Sequence, residues 1–518
     1  MLLSNASQIR EADRIQISEN GTPGVILMEH AGRAATDEIL KRYPGQEKFL
    51  VLAGPGNNGG DGLVIARLLH LAGKKVRVLL SHPPDRFLGD ALINYQSLRA
   101  LPVPVAIFSE EKAREGLAFL PIGLPAPQHA VPPAAKASDS PILIDALLGT
   151  GISGPLRDPI KAIIAFFRPM QLTTVAIDLP SGLGADSGQV FTEPLLADCT
   201  LTFHLPKICH AVTPASLRCG EVKVLEIGMW PGVNARLGIK RLWTDIDWGK
   251  EMRKRRQKEG HKGSYGHVLI VGGSRPMAGA VALAAKAAVS GGAGLVTVFC
   301  PAACRAAVNF HAPEAMCFTA AGDVIGEEDI PVFRAALHKK DIVVLGPGLG
   351  KHPDTEIFLK KALPFISCPL VIDADGLNIL AMHESCWHDL PEHTTLTPHP
   401  GEMERLTGRS DVQTQRLELA EALAQEKGCT VVLKGAGTIT ALPNGKSFVN
   451  RSGNPGLGSG GTGDVLAGLI GALLAQGYAD IAAAYAVWLH GFAADRLVEH
   501  HGQEGIRAGK LADHLWFE

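Results

Sequence analysis

Short apolar runs, each closed by glycine or aspartate and followed by a helix-length segment, recur along the whole chain. In the first half they fall at 49–53, 76–80, 142–145, 174–178 and 199–203, with helical patterns such as 62–72 between them. A strand that is apolar on both faces has to be covered on both faces, and crossover helices on a parallel sheet do this. The alternation restarts at HVLIVGG and continues through GAVALAAKAAVSGGAG, LVTVFC, DIVVLGPGLG, PLVIDADGLNIL, TTLTPHPGEMERL and CTVVLKGAGTITAL, then a glycine-rich loop and helical segments at 463–475 and 481–500. The pattern predicts two α/β domains. The first, residues 1–228, is a Rossmann-like doubly wound sheet; residues 263–518 form the second. Between them, 229–262 reads as a linker ending in the basic, solvated KEMRKRRQKEGHK, and the Pro- and Ala-rich stretch 121–141 reads as an irregular insertion.

Composition removes several function classes. The formal net charge of −2 supplies no basic field for nucleic acid or an acidic membrane, and 5% aromatic residues argue against base-stacking platforms. Nine cysteines with no CxxC spacing suit a reduced, cytoplasmic protein without a zinc site. Neither a signal peptide nor an apolar run of membrane-spanning length is expected.

The first candidate site begins at AGPGNNGGDGL, residues 53–63. Gly54-x-Gly56-x-x-Gly59 matches a dinucleotide fingerprint, but Asp61 stands where a helix is expected to start. A carboxylate there would cap the helix and occupy the charge position a pyrophosphate needs. The loop is therefore expected to hold polar ligand groups or a cation; a plain cap with turn asparagines is the alternative. ILIDALLGTGISGP and VAIDLPSGL place Asp145 and Asp178 at two more strand ends, where open α/β sheets bind ligands. Carboxylate, amide and hydroxyl oxygens together suit a hard cation.

The second candidate site centres on NPGLGSGGTGDVLAGLIGALL, residues 454–474. A glycine run entering a helix supplies an anion hole, and Asp464 in the first turn is placed to take a proton from an acceptor hydroxyl. Position 440 is Thr440, so Lys446-Ser447 belongs to no P-loop. Lys434 could attract phosphate, Glu402 could support Mg²⁺ through water and His399 could hydrogen-bond a substrate. Each is also an ordinary turn or helix-start residue. Asp373 reads as structural, and His490 as packed within a helix pair.

GNNGGDG, DALLGTG and AIDLPSG, in that order, resemble the N-terminal domain of the YjeF family, the NAD(P)H-hydrate epimerases, over about residues 1–230. The resemblance implies that Asn57, Asn58, Gly59, Gly60 and Asp61 contact the hydrate, with Gly149, Thr150, Gly151, Ile152, Ser153, Gly154, Pro155 and Asp178. It implies K⁺ held by Asn58, Asp145 and Ser181; Asp178, a carboxylate near the hydrated ring, is the residue expected to do the acid–base work.

MAGAVALAAKAAVSGGAGLV, GPGLG, HPGE, KGAGT and GSGGTGD resemble the ADP-dependent NAD(P)H-hydrate dehydratases of the ribokinase-like superfamily, over roughly 260–510. That resemblance implies that Lys434, Gly435, Ala436, Gly437, Thr438 and Gly463 hold ADP with Mg²⁺. Gly279, Ala280, Gly348 and His399 would lie by the hydrate, with Asp464 catalytic. A chain with both parts would epimerise R- and S-NAD(P)H hydrate and dehydrate the S form, giving AMP and phosphate. A homo-oligomer is expected. The alternative is a vitamin-precursor kinase carrying a noncatalytic nucleotide-binding module.

Overall fold

The computed structural model describes residues 1–116 and 140–517, so all but the last two residues of the stretch 121–141 lie outside the described residues. The chain divides into two compact units, Leu2–Ile239 and Lys240–Glu518, Met1 belonging to the second.

The first unit is built on strands β1 (Lys48–Ala53), β2 (Lys75–Leu80), β3 (Val105–Ile107), β4 (Ile142–Ala146), β5 (Thr174–Ile177), β6 (Cys199–Phe203) and β7 (Glu221–Leu225). They form one parallel sheet in the order β3-β2-β1-β4-β5-β6-β7. The two-sided burial expected of such strands is present: Phe49, Val51 and Ala53 of β1 enter one apolar cluster with Ile144 and Ile177, while Leu50 and Leu52 enter the opposite one with Leu143, Ile163 and Phe167. Each large side chain so buried contributes about 1.5–3 kcal/mol. Strand order reverses between β1 and β4, which opens a crevice beyond their carboxyl ends.

The second unit carries β8 (Arg241–Thr244), β9 (His267–Val271), β10 (Leu295–Pro301), β11 (Met316–Ala320), β12 (Ile342–Leu345), β13 (Leu370–Ile372), β14 (Thr394–Leu396), β15 (Thr430–Leu433), β16 (Ile439–Ala441) and β17 (Ser447–Asn450). Their order is β11-β10-β9-β12-β13-β14-β15-β16-β17-β8, parallel except where β16 runs against β15 and β17.

The stretch 229–262 is more structured than a linker. Val233 and Leu237 pack against Ile15 and Leu205 in the first unit. Strand β8 pairs with β17, and Trp248 of the helix Ile246–Met252 packs on Phe448 and Tyr485. The basic residues that follow Met252 stay exposed, because the apolar anchors lie before them.

Candidate functional site

In the first unit the loops after β1 and β4 touch. Gly54 N–H donates to the Ala146 carbonyl at 3.0 Å, and a Cβ at Gly54 would come within 1.8 Å of the Leu147 carbonyl oxygen. A Cβ at Gly59 would lie 1.8 Å from the Gly54 carbonyl, one at Gly60 would strike the Met28 side chain, and one at Gly62 would strike Ala146. The glycine run is thus required by close packing of a helix start against two strand ends. That helix is Asn57–Leu71 with Gly56 as its N-cap, so it begins earlier than expected and Asp61 lies beyond its first turn. Asp61 is therefore not a cap. Burial pushes its carboxyl well above the usual range, and the nearby Asp178 and Asp13 add to this.

Two of the three expected K⁺ ligands are in direct contact. Asp145 is wholly buried; Ser181 donates to it through Oγ at 2.7 Å and N–H at 2.9 Å, and Leu147 N–H adds a bond at 3.2 Å. Burial raises the Asp145 carboxyl, against the pull of the Ser181 bonds. The third, Asn58, is buried with neither side-chain Nδ2 nor Oδ1 hydrogen-bonded among the described residues. Buried amides are rarely left so. An orphaned amide oxygen and a buried carboxylate fit a hard monovalent cation.

Asp178 leaves β5 with φ 67°, a left-handed conformation that costs a non-glycine residue about 1–2 kcal/mol. The carboxylate accepts from Lys207 Nζ at 2.5 Å and Thr202 Oγ1 at 3.1 Å. Burial alone would raise it; the Lys207 ammonium, with smaller help from the Thr202 hydroxyl, holds it below the usual range. Gly149 closes the circle, since a Cβ there would lie 3.1 Å from Asp178 Oδ2 and 3.5 Å from Asn58. The rest of 149–155 runs on as a partly exposed loop, and Asn57 is exposed. Asp13, from the helix Ala6–Arg14, also senses Asp178 and Lys207, and burial pushes it up to about 6.

In the second unit, the helices Ala278–Ser290 and Thr462–Ala475 lie so close that a Cβ at Gly468 would fall 2.1 Å from the Ala284 carbonyl. Gly348 meets Met277 and Ala280, and Ser274 Oγ donates to its carbonyl at 2.9 Å. Gly279 faces open space. Asp464 sits in the first turn of its helix, behind Gly461. Burial first, then the Asp373 carboxylate, pushes it up to about 7 against the opposing Lys434.

Lys434 reaches that same helix start, since a Cβ at Gly463 would lie 3.6 Å from its Nζ. Its ammonium donates to Asp373 Oδ1 at 2.7 Å and lies 3.8 Å from Glu402 Oε2. Burial opposes this charge, but Asp373 and Glu402 outweigh it and hold Lys434 above its ordinary value. Asp373, read from sequence as structural, therefore belongs to the cluster. His399 caps the helix Pro400–Thr407: its Nδ1 accepts from Gly401 N–H at 3.0 Å, and its own N–H donates to Glu402 Oε2 at 2.7 Å. Glu402 is thus largely engaged in that cap. Gly435 lies over the buried Arg416 guanidinium, Gly435 and Gly437 have φ 134° and 61°, and Thr438 Oγ1 closes the turn onto the Gly435 carbonyl at 2.8 Å. His490 donates from Nε2 to the Thr462 carbonyl at 3.0 Å, as expected of a residue packed between helices.

Sequence reasoning missed Lys207, His210, Asp13 and Arg416. Lys207 and His210 carry one signal, a charged or imidazole side chain inside the apolar stretch FHLPKICHAV; Asp13 and Arg416 lie in polar stretches and carry none. Among the described residues no cluster of three or more His, Cys, Asp or Glu is set to hold a metal, so neither site is a preformed acidic cage.

A family model described as YjeF-related protein N-terminus matches residues 24–209, and one described as NAD(P)H-hydrate dehydratase matches 268–516. The bifunctional NAD(P)H-hydrate repair enzyme of Moorella thermoacetica is 36% identical over 99% of this chain and 96% of its own. That of Escherichia coli is 33% identical over 98% and 92%. Among solved structures, a ribokinase-like superfamily protein from Enterococcus faecalis is 29% identical over 53% of this chain and 94% of its own, with TM-score 0.48. An ADP/ATP-dependent NAD(P)H-hydrate dehydratase from Bacillus subtilis, co-crystallised with ATP/Mg²⁺, is 27% identical over 53% and 96%, with TM-score 0.46.

Proposed function

The chain belongs to the family of bifunctional NAD(P)H-hydrate repair enzymes, an epimerase unit followed by an ADP/ATP-dependent dehydratase unit, and from that premise we propose how its residues divide the work. The observation that carries the assignment is a pair of aspartates in opposed surroundings. Lys207 Nζ lies 2.5 Å from Asp178 Oδ1 and holds that carboxyl below the usual range, whereas Lys434 is engaged by Asp373 at 2.7 Å and burial pushes Asp464 up to about 7.

In the first unit Asp178 exchanges a proton with the hydrate. Ring opening needs a base for the C6 hydroxyl and an acid for the ring nitrogen; loss and return of the hydroxyl needs the same pair on the C6 oxygen. Asp178 is the base in either route, and the raised carboxyl of Asp61 supports a role for it in carrying the returning proton. Residues 57–61 and 149–155 bind the hydrate. Asn58, Asp145 and Ser181 would hold K⁺, which when bound supplies a fixed positive charge beside the substrate.

In the second unit Asp464 takes the proton as the C6 oxygen attacks the terminal phosphorus of ADP and the bond to AMP breaks. The ring nitrogen then expels phosphate from C6, and loss of a C5 proton restores the double bond. Lys434 to Thr438 and Gly463 hold the nucleotide; Gly279, Ala280, Gly348 and His399 line the hydrate. Mg²⁺ would sit on the nucleotide's phosphates with waters, as suits a site without its own acidic cage.

The nine unpaired cysteines support a cytoplasmic location. No helix among the described residues is long and apolar enough to cross a membrane. Exposed Phe310, Met316 and Phe318 on and beside edge strand β11 support a homo-oligomer.

The test is recovery of NADPH absorbance from a mixed R/S hydrate sample with Mg²⁺ and ADP, and then ATP. Full recovery is expected. Recovery of the S share alone removes the epimerase role of Asp178. A stable phosphorylated product without elimination favours the vitamin-precursor kinase.

A further inference from the structure

Lys207 is 1% exposed, a burial that an ammonium tolerates only when fully paired. It donates to Asp178 Oδ1 at 2.5 Å, Thr202 Oγ1 at 2.8 Å and the Phe203 carbonyl at 3.4 Å, which uses its three protons. Thr202 in turn donates to the same Asp178 oxygen. Both bonds fall on Oδ1, and Oδ2 is the oxygen that faces Gly149.

The main chain of Asp178 is pinned from the same turn. Its N–H continues the sheet to the Leu201 carbonyl at 2.8 Å, and its own carbonyl accepts from His210 Nε2 at 2.9 Å. His210 Nδ1 accepts from the Lys207 N–H at 3.0 Å, so the ring is neutral with its proton on Nε2. One short segment thus grips the left-handed Asp178 by side chain and by backbone. That segment is itself fastened: Ser4 N–H donates to the Pro206 carbonyl at 2.9 Å, and Ile208 N–H to the Ser4 carbonyl at 3.1 Å.

The groups that face Asp178 explain why a cation is needed. Asp61 approaches from the helix Asn57–Leu71, Asp13 from the helix Ala6–Arg14, and neutral His210 and the Cys209 thiol from the helix Ile208–Ala211. Three carboxyls meet one ammonium. Without it, burial and two acidic neighbours would drive a proton onto Asp178.

We propose that Lys207 is a positioning residue of the epimerase, which fixes Oδ1 of Asp178 so that Oδ2 is presented, ionised, to the hydrate. The inference rests on the reading of Asp178 as the acid–base group.

Epimerisation is measured on the full chain without nucleotide, which silences the dehydratase, as the conversion of R to S hydrate against pH. Lys207→Gln should lower kcat by about a hundredfold with KM little changed. Its acid limb should move up by about one unit or more. Lys207→Arg keeps the charge and should restore part of kcat and the original limb. Dehydration of the S hydrate should be unchanged in both. A folded Lys207→Gln enzyme with wild-type kcat, or one that is slow with an unmoved limb and no rescue by Arg, overturns the proposal. Loss of the first unit's unfolding transition in both variants overturns it too, by assigning Lys207 to folding. An Asp178→Asn enzyme that epimerises at the wild-type rate refutes the underlying reading instead.

Discussion

With Asp464 as the proposed base, the dehydratase should show a pH dependence that an ordinary aspartate would not give it. Burial and the neighbouring Asp373 hold its carboxyl at about 7, whereas an unperturbed Asp titrates near ~3.9. A base acts only when deprotonated, so kcat/KM for S hydrate at saturating ADP and Mg²⁺ should fall as pH drops through about 7. One unit below the pKa about a tenth of the molecules are ionised, so the rate at about pH 6 should be roughly a tenth of the plateau. With an ordinary Asp the rate would stay flat to about pH 5. Asp373→Asn sharpens the test. It removes the second cause of the upward shift and frees Lys434, which opposes that shift, so both effects move the limb to lower pH. A downward move of about one unit corresponds to about 1.4 kcal/mol. The assay is the initial rate of NADPH recovery from purified S hydrate across about pH 5 to 9 at constant ionic strength. A flat profile, or a limb that Asp373→Asn leaves in place, would refute the argument that burial and Asp373 set the base.

Burial holds His210 neutral, its pKa pushed down to about 3, and His490 likewise at about 4. Because the folded values lie below the unfolded ~6.5, this contribution is complete above that pH and lost as pH falls toward the folded values. Urea melts at decreasing pH should show up to about 1.4 kcal/mol lost per unit for each histidine, and His210→Gln should flatten the slope of the first unit. Gly54→Ala puts a methyl against the Leu147 carbonyl backbone, so the first unit should lose about 1–3 kcal/mol or more by thermal melt; an unchanged melt would discredit the packing account of the loop. Trp488→Ala empties a stack shared with Tyr485, Phe492 and Phe517 and should cost the second unit about 3–5 kcal/mol in denaturant melts. Asp145→Asn should slow epimerisation and abolish its response to added K⁺ while dehydration continues; a wild-type epimerase indifferent to K⁺ would remove the cation from the scheme.

The inner strands were legible because burial on both sheet faces leaves no polar alternation to confuse the reading, whereas β3, β7, β8, β11 and β17 were not, β7 and β11 being exposed on one face. Asp145 and Asp178 at strand tips, and Asp464 after a glycine run, followed from the same logic. The start of the helix Asn57–Leu71 was not legible, since Asn and Gly are poor helix formers and only contacts with Ala146, Leu147 and Met28 place them there. Asp61 accordingly changed from an expected cap to a half-buried acid. Lys207 and Asp13 were invisible because a titratable residue gains its meaning from partners far along the chain, and Asp178 lies 29 residues from Lys207. Asp373 was taken as structural for the same reason: its partner Lys434 is 61 residues away.

The glycines of the two sites fall into two mechanical kinds, and the division amounts to a plan for laboratory evolution. Gly54, Gly59 and Gly346 would each place a Cβ within 2 Å of a backbone carbonyl oxygen, so variants there lose stability before any change of activity can be read. At Gly56, Gly151, Gly154 and Gly279 nothing lies within 4 Å and the backbone has no left-handed twist. A combinatorial library confined to those four positions would reshape the rims proposed to meet substrate while leaving both sheets intact. Gly56→Ser would even add the missing side-chain cap to its helix.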